Sequence, residues 1–555
     1  METGNTKLQS ARQAFARGDW PSARAAFTDL AQVQACRAES LEHLVLIALQ
    51  SGEPAVAETH LQALVAAFPG QAVYLKRLAT VLAQQRKYDG ARACYQTLLE
   101  RFPTDGSTHF QYARLLQRSG EPEAALEQYR LTLDNGVERP EDVHNNMGII
   151  EGQLQRHDRA RQAFQAALAT DANYLPALFN LALLEEEHGR WPQASALFQR
   201  ILRSEPRHPG ALVRLAHGTR LTTTGDPLVS RIKRVLRSGQ LRGSEREELL
   251  YALGKSHDDC ADYAAAFDWY RQANTESQRR AGPYDAGAHE RQVAALIAHC
   301  DRDWFGRIAP VSERPHVFIC GMFRSGSTLV EQVLGAHPAL TAGGELDYFQ
   351  RHLPHWLLHP GQSGEDALSA LALGYDEQLD EQFAPGARVI NKRPDNFLLL
   401  GLLAALYPNA RFIETHRHPL DNCISLYFQP FGLEQAYANA LLDCGHYYAQ
   451  YRRLMAHWQA VLGERLLPFG YEELLAQPEA QMCKLLDFLS LPWSAECLRF
   501  HAQGNRVRTA SVHQVRQPLY SRAQGRWQHY QEALAPLQRY LDQAQLLPEN
   551  AAARQ

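Results

Sequence analysis

Nowhere in this 555-residue chain do two cysteines form a C-x-x-C pair, and the nine cysteines are an odd number that cannot all pair internally. These absences argue against a disulfide framework and a cysteine-built zinc site, and they fit reduced thiols in a cytoplasmic setting. The longest apolar stretch, Phe397 to Tyr407, is too short to span a bilayer and is bracketed by Pro394 and Pro408, so it predicts a buried helix. The opening residues, METGNTKLQSARQAFARGDW, hold no apolar core, so no secretory leader is expected. Charge of one sign is not in excess: the formal net charge of -4 argues against a general nucleic-acid binder. The one close histidine set, His352, His355 and His359, is interrupted by Pro354 and Pro360 and has no acidic or thiol partner at ligand spacing, so no metal site is expected. With 45% apolar and 21% charged residues the composition is that of a globular protein, and the length exceeds one hydrophobic core, so at least two domains are expected.

The first half repeats itself. Ala11, Val45, Ala79, Ala113, Gly148 and Ala182 are spaced 34, 34, 34, 35 and 34 residues apart. Twelve residues after each stands an alanine (Ala23, Ala57, Ala91, Ala125, Ala160, Ala194), and four further on a bulky residue (Phe27, Leu61, Tyr95, Tyr129, Phe164, Phe198). Small residues at fixed offsets let two helices cross closely, and turn signals such as Gly18-Asp19, Gly52-Glu53-Pro54 and Gly120-Glu121-Pro122 fall between them. The pattern resembles the tetratricopeptide repeat, stacked helix pairs whose concave face commonly takes a peptide or protein partner. Gly254, Ala266 and Tyr270 keep the same offsets, predicting a divergent seventh unit after an off-period segment, RLTTTGDPLVSRIKRVLRSGQLRGSE. An array of this kind could equally act as a spacer or a dimerisation element, since fold does not fix function.

From about Pro315 the period disappears. Short apolar runs (Val317 to Cys320, Val389 to Ile390, Arg411 to Ile413) precede polar loops and then helical stretches, which predicts an α/β domain with a parallel sheet and its ligands at the strand ends. The first run enters G-M-F-R-S-G-S-T, the spacing of a phosphate-cradling P-loop with Ser327 where the lysine belongs. Gly321 and Gly326 let amide hydrogens converge at a helix N-terminus, Ser325, Ser327 and Thr328 supply hydroxyls, and Arg324 supplies a fixed charge. Without the lysine, and with no apolar strand ending in a magnesium-binding aspartate, a single 5′-phosphate fits better than a triphosphate. A bare match of this kind also occurs as a purely structural turn. Further strand-end polar groups follow: Glu345 in TAGGELDYF, Lys392 in RVINKRPDNF, Arg417 and Ser425 eight apart, Tyr471, and Ser511 with Arg526 and Trp527.

Taken together these residues, from Val317 to Tyr530, resemble the sulfotransferases that use 3′-phosphoadenosine 5′-phosphosulfate, in particular the tyrosylprotein branch and its bacterial repeat-containing relatives. The family's 5′-phosphosulfate loop, R-S-G-[TS]-[TS], is matched by Arg324-Ser325-Gly326-Ser327-Thr328, and its 3′-phosphate pair by Arg417 and Ser425. The resemblance implies that Glu345 is the base, that Lys392 and Ser511 stabilise the transition state with help from Arg324, and that Tyr471 touches the donor. It implies that the S-x-x-Q-V-x-x-P stretch, with Ser511, Gln514, Val515 and Pro518, wraps the nucleotide, and that Arg526 is the basic residue before the tryptophan. Two departures stand out: Asp347 replaces an arginine that holds acidic peptides, and Gln429 replaces a second donor-side arginine.

The expected organisation is a tetratricopeptide solenoid over 1–210, a divergent helical connector over 211–312 and a P-loop-like sulfotransferase domain over 313–545. The expected reaction is transfer of a sulfuryl group to an acceptor hydroxyl without a metal, the acceptor being protein tyrosine, carbohydrate or a small molecule. Rival readings are a P-loop nucleotide kinase or NTPase, and a scaffold with a non-catalytic nucleotide-binding domain. At single positions, Glu345 also fits a helix cap, with His337 or His416 as the base, and Lys392 also fits a solvated surface lysine.

Overall fold

The computed structural model describes residues 2–241, 243–305, 309–352, 365–432, 435–502 and 524–548. The chain divides into two compact units, Met1–Leu181 and Ala182–Gln555.

The first unit is a run of paired antiparallel helices, for example Arg37–Gln50 with Pro54–Ala67 and Gly106–Ser119 with Pro122–Asp134. The small positions read from the sequence lie in its interior: Ala11, Ala23, Ala57, Ala79, Ala91, Ala113 and Ala125 are buried, as are the bulky partners Phe27, Leu61, Tyr95 and Tyr129. A second periodic feature is visible only in the backbone. Seven residues after each small position the chain adopts a left-handed conformation, at Gly18, Gly52, Arg86, Gly120 and Gln155. The residue following each donates its amide to a carbonyl five residues back: Asp19 to Ala14, Glu53 to Ala48, Lys87 to Leu82, Glu121 to Leu116 and Arg156 to Glu151. This is the Schellman closure of a helix C-terminus, and it normally selects glycine.

In the second unit the same turn recurs at Gly189 and at Ala261, again seven residues after Ala182 and Gly254. Helices Glu245–Asp259 and Tyr263–Ala281 therefore form the divergent seventh hairpin. The off-period segment before it contains the helix Pro227–Arg237, whose Val229, Ile232 and Val235 are buried.

The rest of this unit is built on a five-stranded parallel sheet: β1 (Val317–Gly321), β2 (Thr341–Ala342), β3 (Val389–Lys392), β4 (Arg411–His416) and β5 (Leu466–Gly470), in the order β2-β3-β1-β4-β5. Strand alternation sorts the side chains into two cores. Phe318, Cys320, Val389 and Phe412 join a large cluster on one face, while Val317, Ile319, Ile390 and Ile413 pack with Val330, Val333 and Leu334 on the other. The apolar stretch 397–407 is buried as expected, within a turn of 3-10 helix and the helix Leu400–Leu406. Strands β2 and β5 were not legible in the sequence; β2 is two residues long and β5 contains Pro468. No helix among the described residues is long and apolar enough to cross a membrane. Each strand runs out on the same edge of the sheet, so the loops after β1, β3 and β4 converge there.

Left-handed backbone costs an ordinary L-residue about 1–2 kcal/mol, and glycine escapes most of it. Arg86→Gly and Gln155→Gly should each stabilise the protein by up to ~1 kcal/mol, read as raised midpoints in thermal or denaturant unfolding, whereas glycine at the nearby helical Gln84 should destabilise it.

Candidate active site

The loop after β1 is held in place from several directions. Gly326 caps the helix Ser327–Gly335 with φ +103°, and a Cβ there would lie 2.7 Å from the Tyr471 ring, so the position admits only glycine. Ser325 Oγ donates to the Met322 carbonyl (2.6 Å) and lies 2.7 Å from Thr415 Oγ1, which reaches the Cys320 carbonyl at 3.1 Å. The Ser325 hydroxyl is therefore committed to knitting the loop to β4. Asn422 Nδ2 donates to the Phe323 carbonyl from the other side (3.0 Å).

Between those anchors Arg324 takes a left-handed backbone, φ +68°, costly for a long side chain and the kind of strain that collects at functional sites. Its Nε donates to Ser425 Oγ at 3.1 Å. Arg417, immediately after β4, is buried, with its Nη1 3.5 Å from the Arg324 carbonyl and its guanidinium carbon 5.1 Å from the centre of the Tyr471 ring. Burial raises the Tyr471 phenol above its ordinary range, opposed by Arg417 and Arg324. The structure thus brings Arg324, Arg417, Ser425 and Tyr471 together beside the helix N-terminus that carries the buried Ser327 and Thr328. Two guanidiniums, hydroxyls and a helix N-terminus in one place suit a phosphorylated ligand.

A second group lies at the end of β3. Lys392 has 1% of its side chain exposed, and its Nζ donates to Glu345 Oε1 at 2.5 Å; Glu345 is 38% exposed. Lys392 is therefore not a solvated surface lysine, and Glu345 reaches both the buried ammonium and solvent. Asp347 pairs with Arg351 on the surface (2.8 Å).

Other elements near the strand ends are structural ties. Asp421, in the helix Pro419–Tyr427, accepts the amides of Gly525 (2.6 Å) and Trp527 (2.9 Å), and Trp527 stacks on His418 with ring centres 5.4 Å apart. Arg526 does not join the guanidinium pair: it lies over Phe428 and bonds Asp258 at 2.8 Å. Ser511, Gln514, Val515 and Pro518 lie outside the described residues, as do His355 and His359.

One buried carboxyl escaped the sequence reading. Glu331, 3% exposed, accepts the Gly344 amide at 2.7 Å. Burial pushes its pKa up to about 7, against the pull of the Lys392 ammonium and the Gly344 amide, with Glu345 adding to the rise. A glutamate one turn along a helix otherwise reads as a surface residue; the only clue was its place among Leu329, Val330, Val333 and Leu334.

An α/β domain with a glycine loop after its central strand, set beside two guanidiniums, is the class defined by this fold and site. The comparisons with known proteins are narrower. Residues 315–495 match the model of the sulfotransferase family, and residues 8–72, 76–143 and 153–216 match tetratricopeptide repeat models. The chain carries a tetratricopeptide array followed by a sulfotransferase-family domain. Among relatives, an uncharacterized protein of Aquifex aeolicus is 27% identical over 71% of this chain and 53% of its own length. A protein-tyrosine sulfotransferase of Drosophila melanogaster is 28% identical over 39% of this chain and 47% of its own. Protein-tyrosine sulfotransferase 1 of Danio rerio is 28% identical over 33% and 55%. The chain spans about half the length of these curated relatives. A tetratricopeptide repeat protein from Parabacteroides merdae is 20% identical in a structural superposition covering 43% of this chain and 92% of that one, with a TM-score of 0.32.

The raised Glu331 carboxyl has a consequence for stability. A carboxyl whose folded pKa is about 7 and whose ordinary value is 4.5 contributes fully below the ordinary value, and that contribution is lost as pH rises through 7. Glu331→Gln, neutral throughout, should gain on the wild type between those limits, by roughly 3 kcal/mol at the top. Unfolding midpoints of both proteins across this range check it; parallel curves would refute it.

Proposed function

We propose that this chain transfers a sulfuryl group from 3′-phosphoadenosine 5′-phosphosulfate to an acceptor hydroxyl. The observation that carries the reading is the bond from Arg324 in the glycine loop to Ser425, beside Arg417. That bond joins the candidate 5′-phosphosulfate loop to the candidate 3′-phosphate pair, which supports a single nucleotide as their common ligand. Arg324, Ser327, Thr328 and the loop amides hold the phosphosulfate end, with Ser325 shaping the loop. Arg417 and Ser425 hold the 3′-phosphate, and Tyr471 packs between loop and guanidinium. Ser511, Gln514, Val515 and Pro518 complete the donor site in this reading, and Arg526, held by Asp258, supports its wall instead of binding the donor.

The acceptor oxygen attacks sulfur as the bond from sulfur to the bridging phosphate oxygen breaks, releasing adenosine 3′,5′-bisphosphate. Glu345 takes the acceptor proton; its contact with both Lys392 and solvent supports that role. Lys392 and Ser511 stabilise charge on the sulfuryl and departing phosphate oxygens, and Arg324 assists. Such a loose, charge-spread transition state draws most of its catalysis from positioning and fixed electrostatics. No step uses a metal. Protein tyrosine is the favoured acceptor, supported by the relatives named protein-tyrosine sulfotransferase. Asp347 in its ion pair with Arg351 favours peptides less acidic than an arginine there would. The repeats recruit the protein substrate or a partner. The domain limits in this reading are 1–210, 211–312 and 313–545, and nine free thiols support a cytoplasmic location.

Titration calorimetry should show adenosine 3′,5′-bisphosphate binding equally with and without a chelator, and Arg417→Ala should weaken it about 10–100-fold. With radiolabelled donor and a cell extract, Glu345→Ala and Lys392→Ala should each cut transfer about 100–1,000-fold while binding of the bisphosphate persists. Preference for magnesium-ATP, or equal transfer by the wild type and both variants, would overturn the reading.

A further inference from the structure

Glu345, unlike its buried partner Lys392, stands partly in solvent, on a turn beginning with two glycines. A flexible, half-exposed carboxylate makes a poor base unless something fixes its backbone, because the proton it takes must lie within hydrogen-bond reach. The structure shows what fixes it. The Gly344 amide is bonded to Glu331 Oε1 at 2.7 Å, and its carbonyl accepts the Lys392 amide at 2.9 Å. One residue earlier, the Gly343 amide donates to the Ile390 carbonyl at 3.0 Å. Both polar groups of Gly344 are therefore satisfied, one by the helix that opens at the glycine loop and the other by the strand that ends in Lys392. Glu345 follows directly and closes the circuit on Lys392 Nζ.

We infer that Glu331 is a positioning residue for sulfuryl transfer: by holding the Gly344 amide it ties the base Glu345 to the helix of the phosphosulfate loop and sets the geometry of the Glu345–Lys392 pair. The inference rests on the function proposed above. Glu331 touches neither donor nor acceptor in that reading and takes no proton from either. Its contribution is an acceptor oxygen at a fixed point, buried against exchange with water.

The chemistry of the group separates this role from a purely electrostatic one. A carboxyl with a pKa of about 7 changes charge across neutral pH, yet its carbonyl oxygen accepts a hydrogen bond in either form. The charged groups acting on it are Lys392 from β3 and Glu345 from the glycine turn; on the segment Ala495–Ala502 packed against its helix, Glu496 and Arg499 pair with each other. If position is what matters, glutamine should replace glutamate and alanine should not.

The test compares Glu331→Gln with Glu331→Ala in the full-length chain. In the ligand-free protein, amide hydrogen exchange in the peptide covering residues 341–348 should rise about tenfold or more in the alanine variant and stay near wild type in the glutamine variant. With radiolabelled 3′-phosphoadenosine 5′-phosphosulfate and the extract used above, the alanine variant should lose about 10–100-fold in kcat, with donor KM and bisphosphate affinity within about threefold of wild type. The glutamine variant should keep kcat within about threefold. Alanine without effect on exchange or kcat, or glutamine as damaging as alanine, overturns the inference. Bisphosphate binding that collapses in the alanine variant but not in the glutamine one reassigns Glu331 to holding the donor loop, which also overturns it. A wild type that transfers no label would sink the proposed function, while the exchange measurement would still decide whether Glu331 holds the turn.

Discussion

Burying an ammonium group is the constraint around which the strand ends are arranged. An isolated lysine charge cannot be taken out of water without a partner, and breaking a buried pair typically costs about 3–5 kcal/mol. Lys392 meets this demand through Glu345, which can come near enough only because the chain turns sharply at Gly343 and Gly344. The turn in turn relies on Glu331 for its amide and on β3 for its carbonyl. The arrangement couples the end of β3 to the helix after β1. Low local polarizability, the source of the expense, also makes the ammonium effective on a nearby oxyanion.

The repeat half obeys a different constraint, one of backbone conformation. A helix hairpin of this period must reverse through a left-handed residue, and the chain keeps that residue seven positions after each small one whether or not glycine stands there. Arg86, Gln155 and Ala261 adopt it because the surrounding helices and the closing amide bond over-determine it. The geometry of the array is thus more regular than its sequence.

This difference explains how much could be read in advance. The repeat was legible because helix crossing at close range admits only small side chains, and the buried alanines record it. Arg86 and Gln155 were not recognisable as turn residues, since nothing in their chemistry announces a left-handed backbone. In the second half, Arg324, Arg417, Ser425, Tyr471, Glu345 and Lys392 were all named from motif and spacing, and the fold gathers the first four into one group and the last two into a pair. What stayed hidden was whatever depends on tertiary encounter: the commitment of the Ser325 hydroxyl to the loop, the burial of Glu331, and the strands β2 and β5, too short or too proline-interrupted to show a period.

Arg526 carries a further implication. Its guanidinium is held by Asp258, which also receives the Tyr530 hydroxyl, on a helix that precedes the α/β sheet by some sixty residues of chain. The match to the sulfotransferase-family model begins at residue 315. A fragment cut at that border would leave this arginine without its counter-ion and the Phe428 and Tyr530 rings without Tyr270 and Phe267. The stretch that matches the family model and the stretch that completes the packing around these rings are, in this protein, two different lengths of polypeptide.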